Sequence, residues 1–185
     1  MLVEKAQVLL KELYDNPRLA VKLSLGTGCE RVAYKLNEQY AVKIPKDAMY
    51  NEKALSEVKG ESFELDLYSR HLWDMSFEDQ TDREIQLLES LTEDEAKLFN
   101  PILEIGEFQG NKFTISPLVE IGRNIDCHDI EDLCKATGKS FNYDCLREVS
   151  KKFSLDYYDL TENSGNFGLN SNGDIVIIDY GLEEF

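Results

Sequence analysis

The chain has 185 residues, 42% of them hydrophobic and 10% aromatic, and sets 36 acidic side chains against 20 basic ones for a formal net charge of −16. That is enough apolar material for one domain with a real core, and too much for a disordered chain despite 30% charge. The negative field opposes direct nucleic-acid binding and anionic membrane surfaces; it reads first as solvated, solubilising faces, with a basic partner or mimicry of nucleic acid as the alternatives.

Met1-Leu2-Val3-Glu4-Lys5 meets an acid early and the chain reaches Lys11 before any long apolar run, so neither a signal peptide nor a membrane span is expected. Val3, Ala6, Leu9, Leu10 and Leu13 share one face, which predicts an amphipathic helix over 3–14 that ends at Asn16-Pro17. Leu19 to Leu25 reads as a strand, Gly26-Thr27-Gly28 as a tight turn, and Arg31 to Leu36 as a second strand. Asn37-Glu38-Gln39 then makes a hairpin turn into a third strand, Tyr40 to Ile44, giving a three-stranded antiparallel meander.

From 45 to 80 the pattern is irregular and reads as an insertion, although Phe63, Leu67 and Trp73 suit a helix. Ile85, Leu88 and Leu91 restore helical spacing over Asp82 to Leu91, with Asp82 placed to cap, and further helical turns run through Glu95-Ala96-Lys97-Leu98. Gln109-Gly110-Asn111 joins Ile102 to Phe108 and Lys112 to Ser116 as a hairpin. Ile130 to Ala136 and Tyr143 to Phe153 fit short helices, and Asp174 to Asp179 fits a strand after Asn172-Gly173.

Cys29, Cys127, Cys134 and Cys145 form no C-x-x-C pair, and His71 and His128 have no zinc spacing, so reduced thiols in a cytoplasmic protein are expected. Cys127 and His128 are adjacent but lack a third ligand or a nucleophile motif, which reads as structural.

Two glycines, Gly26 and Gly28, allow a backbone to come close to phosphate oxygens without a Cβ in the way. A strand follows them, not a helix, which excludes the dinucleotide-binding fingerprint. In Tyr40-Ala41-Val42-Lys43-Ile44 one cation sits in an apolar strand and requires a partner. Strand, glycine turn, strand and lysine strand together resemble the nucleotide-binding lobe of the protein kinase family. On that resemblance Glu84 is the helix acid that pairs with Lys43, with Glu64 second, and Ser116-Pro117-Leu118-Val119 is the hinge that offers backbone groups to adenine.

Val176-Ile177-Ile178-Asp179-Tyr180-Gly181 resembles the strand leading into Asp-Phe-Gly, with Tyr for Phe. Tyr157-Tyr158-Asp159-Leu160 looks like a variant of the catalytic loop, and Asn166-Phe167-Gly168-Leu169 like its metal-binding asparagine. Asp159 stands two residues farther from Asn166 than the family signature sets, and a register counted from the C-terminal side puts Thr161 at the base position.

The resemblance therefore implies an α+β fold: a protein kinase-like N-lobe of antiparallel sheet plus helix over 1–118, and a much reduced helical C-terminal portion over 119–185, in one domain. It implies ATP and Mg²⁺ as cofactors. Asp159, Lys43 and Glu84 would be catalytic, Gly26, Gly28, Arg31, Lys43, Ser116 and Leu118 would bind the nucleotide, and Asn166 and Asp179 would bind the metal. Arg31 replaces the loop's third glycine, so it would either reach across the phosphates or cap the turn.

The sequence ends four residues after Gly181, which leaves no segment for the family's peptide-binding elements. In this it resembles small kinase-like proteins of bacteriophages. The implied function is a Ser/Thr phosphotransferase acting on a host or viral protein in the host cytoplasm. The alternative is an acidic pseudokinase-like protein that inhibits a host protein, for example one that binds DNA.

Overall fold

The first apolar stripe folds as α1 (Leu2–Asp15), with Ala6, Leu10 and Leu13 buried. Asn16 serves two helices: its backbone N–H closes α1 on the carbonyl of Leu13, and its side chain accepts from the N–H of Leu19 to cap α2 (Pro17–Leu23). The expected strand over Leu19 to Leu25 is thus helical through Leu23, and β1 is Ser24–Thr27. The reason is local: Asn-Pro is an N-cap followed by a first-turn proline, and a short apolar run has no period of its own to oppose it.

The structure, a computed structural model, describes residues 1–27, 31–57 and 80–179. The chain divides into two units, Met1–Ile85 with Ile102–Ser116 and Gln86–Pro101 with Pro117–Phe185.

In the first unit, β1, β2 (Arg31–Lys35), β3 (Tyr40–Pro45), β4 (Glu104–Phe108) and β5 (Asn111–Pro117) form a sheet ordered β1-β2-β3-β5-β4 among the described residues. β1, β2 and β3 are the expected antiparallel meander. The Asn37 carboxamide oxygen shapes its second turn by accepting from the N–H groups of Gln39 and Tyr40, at 2.8 and 3.0 Å. β4 and β5 join through Gln109 and Gly110, at φ 53° and 76°, the two-residue turn whose twist matches that of the strands.

Val32, Tyr34, Val42, Ile44, Phe113 and Ile115 pack with Ala6, Leu10 and Leu13 of α1 in one core. Strand alternation turns their neighbours Arg31, Ala33, Lys43 and Thr114 to the other face. After β3 the chain makes a 3-10 turn, Lys46–Met49, and α3 (Glu52–Glu57). The Phe63, Leu67 and Trp73 expectations lie outside the described residues. Asp82, expected as a cap, falls inside the first turn of α4 (Gln80–Ser90) and pairs instead with Lys112 of β5 at 2.5 Å.

In the second unit, α5 (Glu93–Ala96) opens on a capping box between Thr92 and Glu95. α6 (Ile130–Thr137), α7 (Tyr143–Phe153) and α8 (Tyr157–Glu162) begin on Asp129, Asn142 and Asp156, whose side chains accept from backbone N–H groups of the first turns. β6 (Glu120–Ile121), β7 (Phe167–Leu169) and β8 (Ile175–Ile177) form an antiparallel sheet among the described residues. Leu87, Phe99, Ile130, Leu133, Leu146, Leu160, Phe167 and Ile177 share its core. Residues 86–101 go with this unit because Leu87, Leu98 and Phe99 pack there and Asn100 donates to the carbonyl of Ile177 at 2.8 Å. The class is α+β with antiparallel sheets, and among the described residues no helix is long and apolar enough to cross a membrane.

Candidate functional site

Lys43 lies on the sheet face turned away from α1, opposite Ala33 in the β2–β3 register, so Arg31 is its diagonal neighbour on the same face. Glu84, from the first-unit half of α4, serves both cations. Its Oε1 lies 3.6 Å from Lys43 Nζ, and its Oε2 accepts from Arg31 Nη1. Arg31 and Glu84 are 4% and 5% exposed, so the carboxylate is largely withdrawn from water and faces these cations in its place.

The sequence pointed to the Lys43–Glu84 pair but did not read Arg31 as its third member. The signal was present: two cations on one hairpin face, two rows apart, call for an acid from the element that covers them.

In the second unit Asp159 stands on α8, not in a loop, one turn from the turn at Asn163. Asn166 Nδ2 donates to Asp159 Oδ2 at 2.8 Å and to its backbone oxygen at 3.1 Å, and Asn163 Nδ2 donates to Asp159 Oδ1 at 3.1 Å. The longer spacing is absorbed by the end of the helix and by Asn163, whose carbonyl and carboxamide oxygens accept from the N–H groups of Asn166 and Gly165. Thr161, the alternative at the base position, is buried, and its hydroxyl donates to the carbonyl of Tyr157 within the same helix. Of the two, Asp159 is the one that meets Asn166.

Asp179 adjoins this group through the backbone: the N–H groups of Ile178 and Asp179 point to the carbonyl of Asn166, at 2.8 and 3.4 Å. Asn166 and Asp179 are the two residues the sequence assigned to Mg²⁺, and oxygen donors are the kind that ion takes. The Asn166 amide nitrogen is committed to Asp159, which leaves its oxygen turned from that carboxylate, and Asp179 adds a carboxylate on the adjacent chain. Both are hard donors, and Mg²⁺ takes one or two protein ligands and completes its shell with water and phosphate. Among the described residues no three His, Cys, Asp or Glu side chains cluster as a metal site by themselves.

Gly26 belongs to β1, where the pairing with β2 shifts register between Ser24 and Gly26, a bulge position. Gly28, Glu64, Tyr180 and Gly181 lie outside the described residues. Ser116 is buried at the end of the first unit, and Leu118 is partly buried just after the chain enters the second. Cys127 is buried, and that burial, with Asp132, Asp126 and Asp129 nearby, pushes its thiol up, away from the reactive thiolate.

No protein-family model matches the chain, and no curated protein matches it.

Proposed function

We propose that the protein is a kinase-like ATP/Mg²⁺-binding phosphotransferase whose acceptor is a Ser/Thr hydroxyl on a partner with a basic surface. The observation that carries this reading is the ion pair between Lys43 on an antiparallel strand and Glu84 on a helix, the pairing that phosphoryl transfer of this type requires. Lys43 binds phosphate oxygens of the nucleotide, and Glu84 holds the ammonium in place. Asn166 and Asp179 are the residues that would hold Mg²⁺, which when bound supplies charge neutralisation on the phosphates. Asp159, fixed by two side-chain amides, orients the acceptor hydroxyl and takes its proton. The net charge of −16 attracts a basic acceptor and raises its encounter rate. The sequence resemblance to small bacteriophage proteins supports a host or viral protein as that acceptor.

One observation favours a second reading. Both Asp159 oxygens already accept hydrogen bonds, as in a scaffold where the acid is structural. The protein then binds nucleotide without useful transfer and acts as an acidic inhibitor of a host protein, such as one that binds DNA.

The test is transfer of label from γ-labelled ATP with Mg²⁺ to a basic protein acceptor. The phosphotransferase reading expects label with the wild type and a loss of at least about 100-fold in Asp159→Asn. Nucleotide binding without label in either protein supports the second reading.

A further inference from the structure

We propose that Arg31 is a positioning residue for Lys43 that acts through Glu84. It holds one carboxylate oxygen of Glu84 so that the other meets the lysine ammonium as an ion pair and no closer. The inference rests on the nucleotide-binding reading of Lys43 and gives that reading a third residue.

Glu84 turns one oxygen to each cation. Oε2 accepts a charge-assisted hydrogen bond from the Arg31 guanidinium, whereas Oε1 stands 3.6 Å from Lys43 Nζ, beyond hydrogen-bond length. Arg31 is the more buried cation of the two: its side chain is 5% exposed, against 18% for Lys43. Its guanidinium is always charged and binds a carboxylate oxygen along a fixed N–H direction, whereas an ammonium is a compact, rotatable point charge. Arg31 therefore holds Oε2 and leaves Oε1 as the oxygen that faces Lys43.

Strand geometry makes the arrangement stiff. Arg31 and Lys43 are diagonal neighbours on the same face of the β2–β3 hairpin, so neither shifts without the ladder. Glu84 arrives from a helix, and its orientation depends on what it binds. With Arg31 neutralised, both oxygens turn to Lys43 and draw the ammonium into a short hydrogen-bonded pair. That pair competes with any phosphate for the lysine. On this account Arg31 does not touch the phosphates; it limits how firmly Glu84 holds the residue that does.

The experiment uses the full chain with Arg31→Gln and Arg31→Lys, each checked for folding by circular dichroism. Calorimetric affinities for ATP with Mg²⁺ and for adenosine are measured side by side. Because the effect runs through Lys43, Arg31→Gln is expected to lose about tenfold in ATP affinity while adenosine changes by less than about twofold, and Arg31→Lys recovers part of the loss. Equal losses for both ligands, or an unchanged ATP affinity, overturn the proposal, since a packing role would not separate phosphate from nucleoside.

A second readout is independent of nucleotide: the rate at which acetic anhydride modifies Lys43, followed by mass spectrometry. Removing Arg31's charge tightens Glu84 on Lys43, so the rate falls in Arg31→Gln, and an unchanged or faster rate overturns the proposal. Should the wild type bind neither ATP nor adenosine, the functional reading fails, and this rate alone decides the role of Arg31. Where Arg31→Gln does not fold, Arg31→Lys carries both measurements, with ATP affinity and labelling rate lower than wild type as the expected result and no change in either as the contrary one.

Discussion

The carboxamide of Asn166 donates to both the backbone carbonyl and the carboxylate of Asp159, at 3.1 and 2.8 Å, across the end of α8. Two hydrogen bonds from one partly buried amide, one of them to a charge, tie β7 to the helix that precedes it. Asn166→Ala removes both and takes the amide donor from Asp159 Oδ2, while Asn163 still serves Oδ1 and the backbone oxygen, which costs about 1–3 kcal/mol. Chemical denaturation of the variant measures it. A loss below about 0.5 kcal/mol would mean that the amide is not the link between these elements.

Gly168 makes the closest backbone approach in the same sheet. A Cβ there would stand 2.2 Å from the carbonyl oxygen of Glu120 and 2.7 Å from Val119 Cγ1. The first of these is main chain on β6, which cannot swing aside as a side chain tip can. Gly168→Ala is expected to destabilise the protein by about 1–3 kcal/mol through displacement of β6 from β7, and amide exchange at Ile121 and Leu169 reads the displacement directly. Wild-type exchange rates at those amides would contradict it.

A pH dependence follows from the capping box of α5. Glu95 is held below the ordinary glutamate value chiefly by the N–H of Thr92, which donates to its Oε2 at 2.7 Å; burial opposes this, and Lys152 at 3.2 Å adds to the lowering. A lowered carboxylate in the folded state favours folding when it is ionised. Its contribution is complete above the ordinary glutamate range and disappears as pH falls through the lowered value. Glu95→Gln should therefore be less stable than wild type near about pH 7, with the gap closing as pH falls below the ordinary glutamate range. A gap that persists unchanged into acid would assign the difference to packing.

Much of this architecture was legible in the sequence where one local rule had no competitor. The stripe of Ala6, Leu10 and Leu13, the Asn37 hairpin, the Gln109-Gly110 turn and the stretch Tyr143–Phe153 took the form that their periodicity or turn chemistry specifies. Leu19 to Leu23 did not, because Asn16 and Pro17 start a helix that a short apolar run cannot resist. Asp82 was misread for a related reason: it satisfies the rule for a cap, but Lys112, distant in sequence, offers an ion pair.

At the candidate site, the lone cation in an apolar strand announced that Lys43 needs an acid. Arg31 was harder to read because its partner sits in another element, and the position of a glycine-loop residue suggested a ligand instead. The spacing between Asp159 and Asn166 looked like a defect. Helix α8 and the turn at Asn163 bring the two together all the same, which residue counting cannot foresee.

The most direct test of nucleotide binding is the thermal unfolding of wild type, Lys43→Ala and Asp179→Ala, each with and without ATP and Mg²⁺. A ligand that binds only the folded state, at about 100 times its dissociation constant, adds about 2.7 kcal/mol, which raises the wild-type midpoint by roughly 5 °C or more. Nucleotide binding through Lys43 and Asp179 gives that rise in the wild type and little or none in either variant. A wild-type midpoint that does not move, or variants that rise as far as the wild type does, would contradict it.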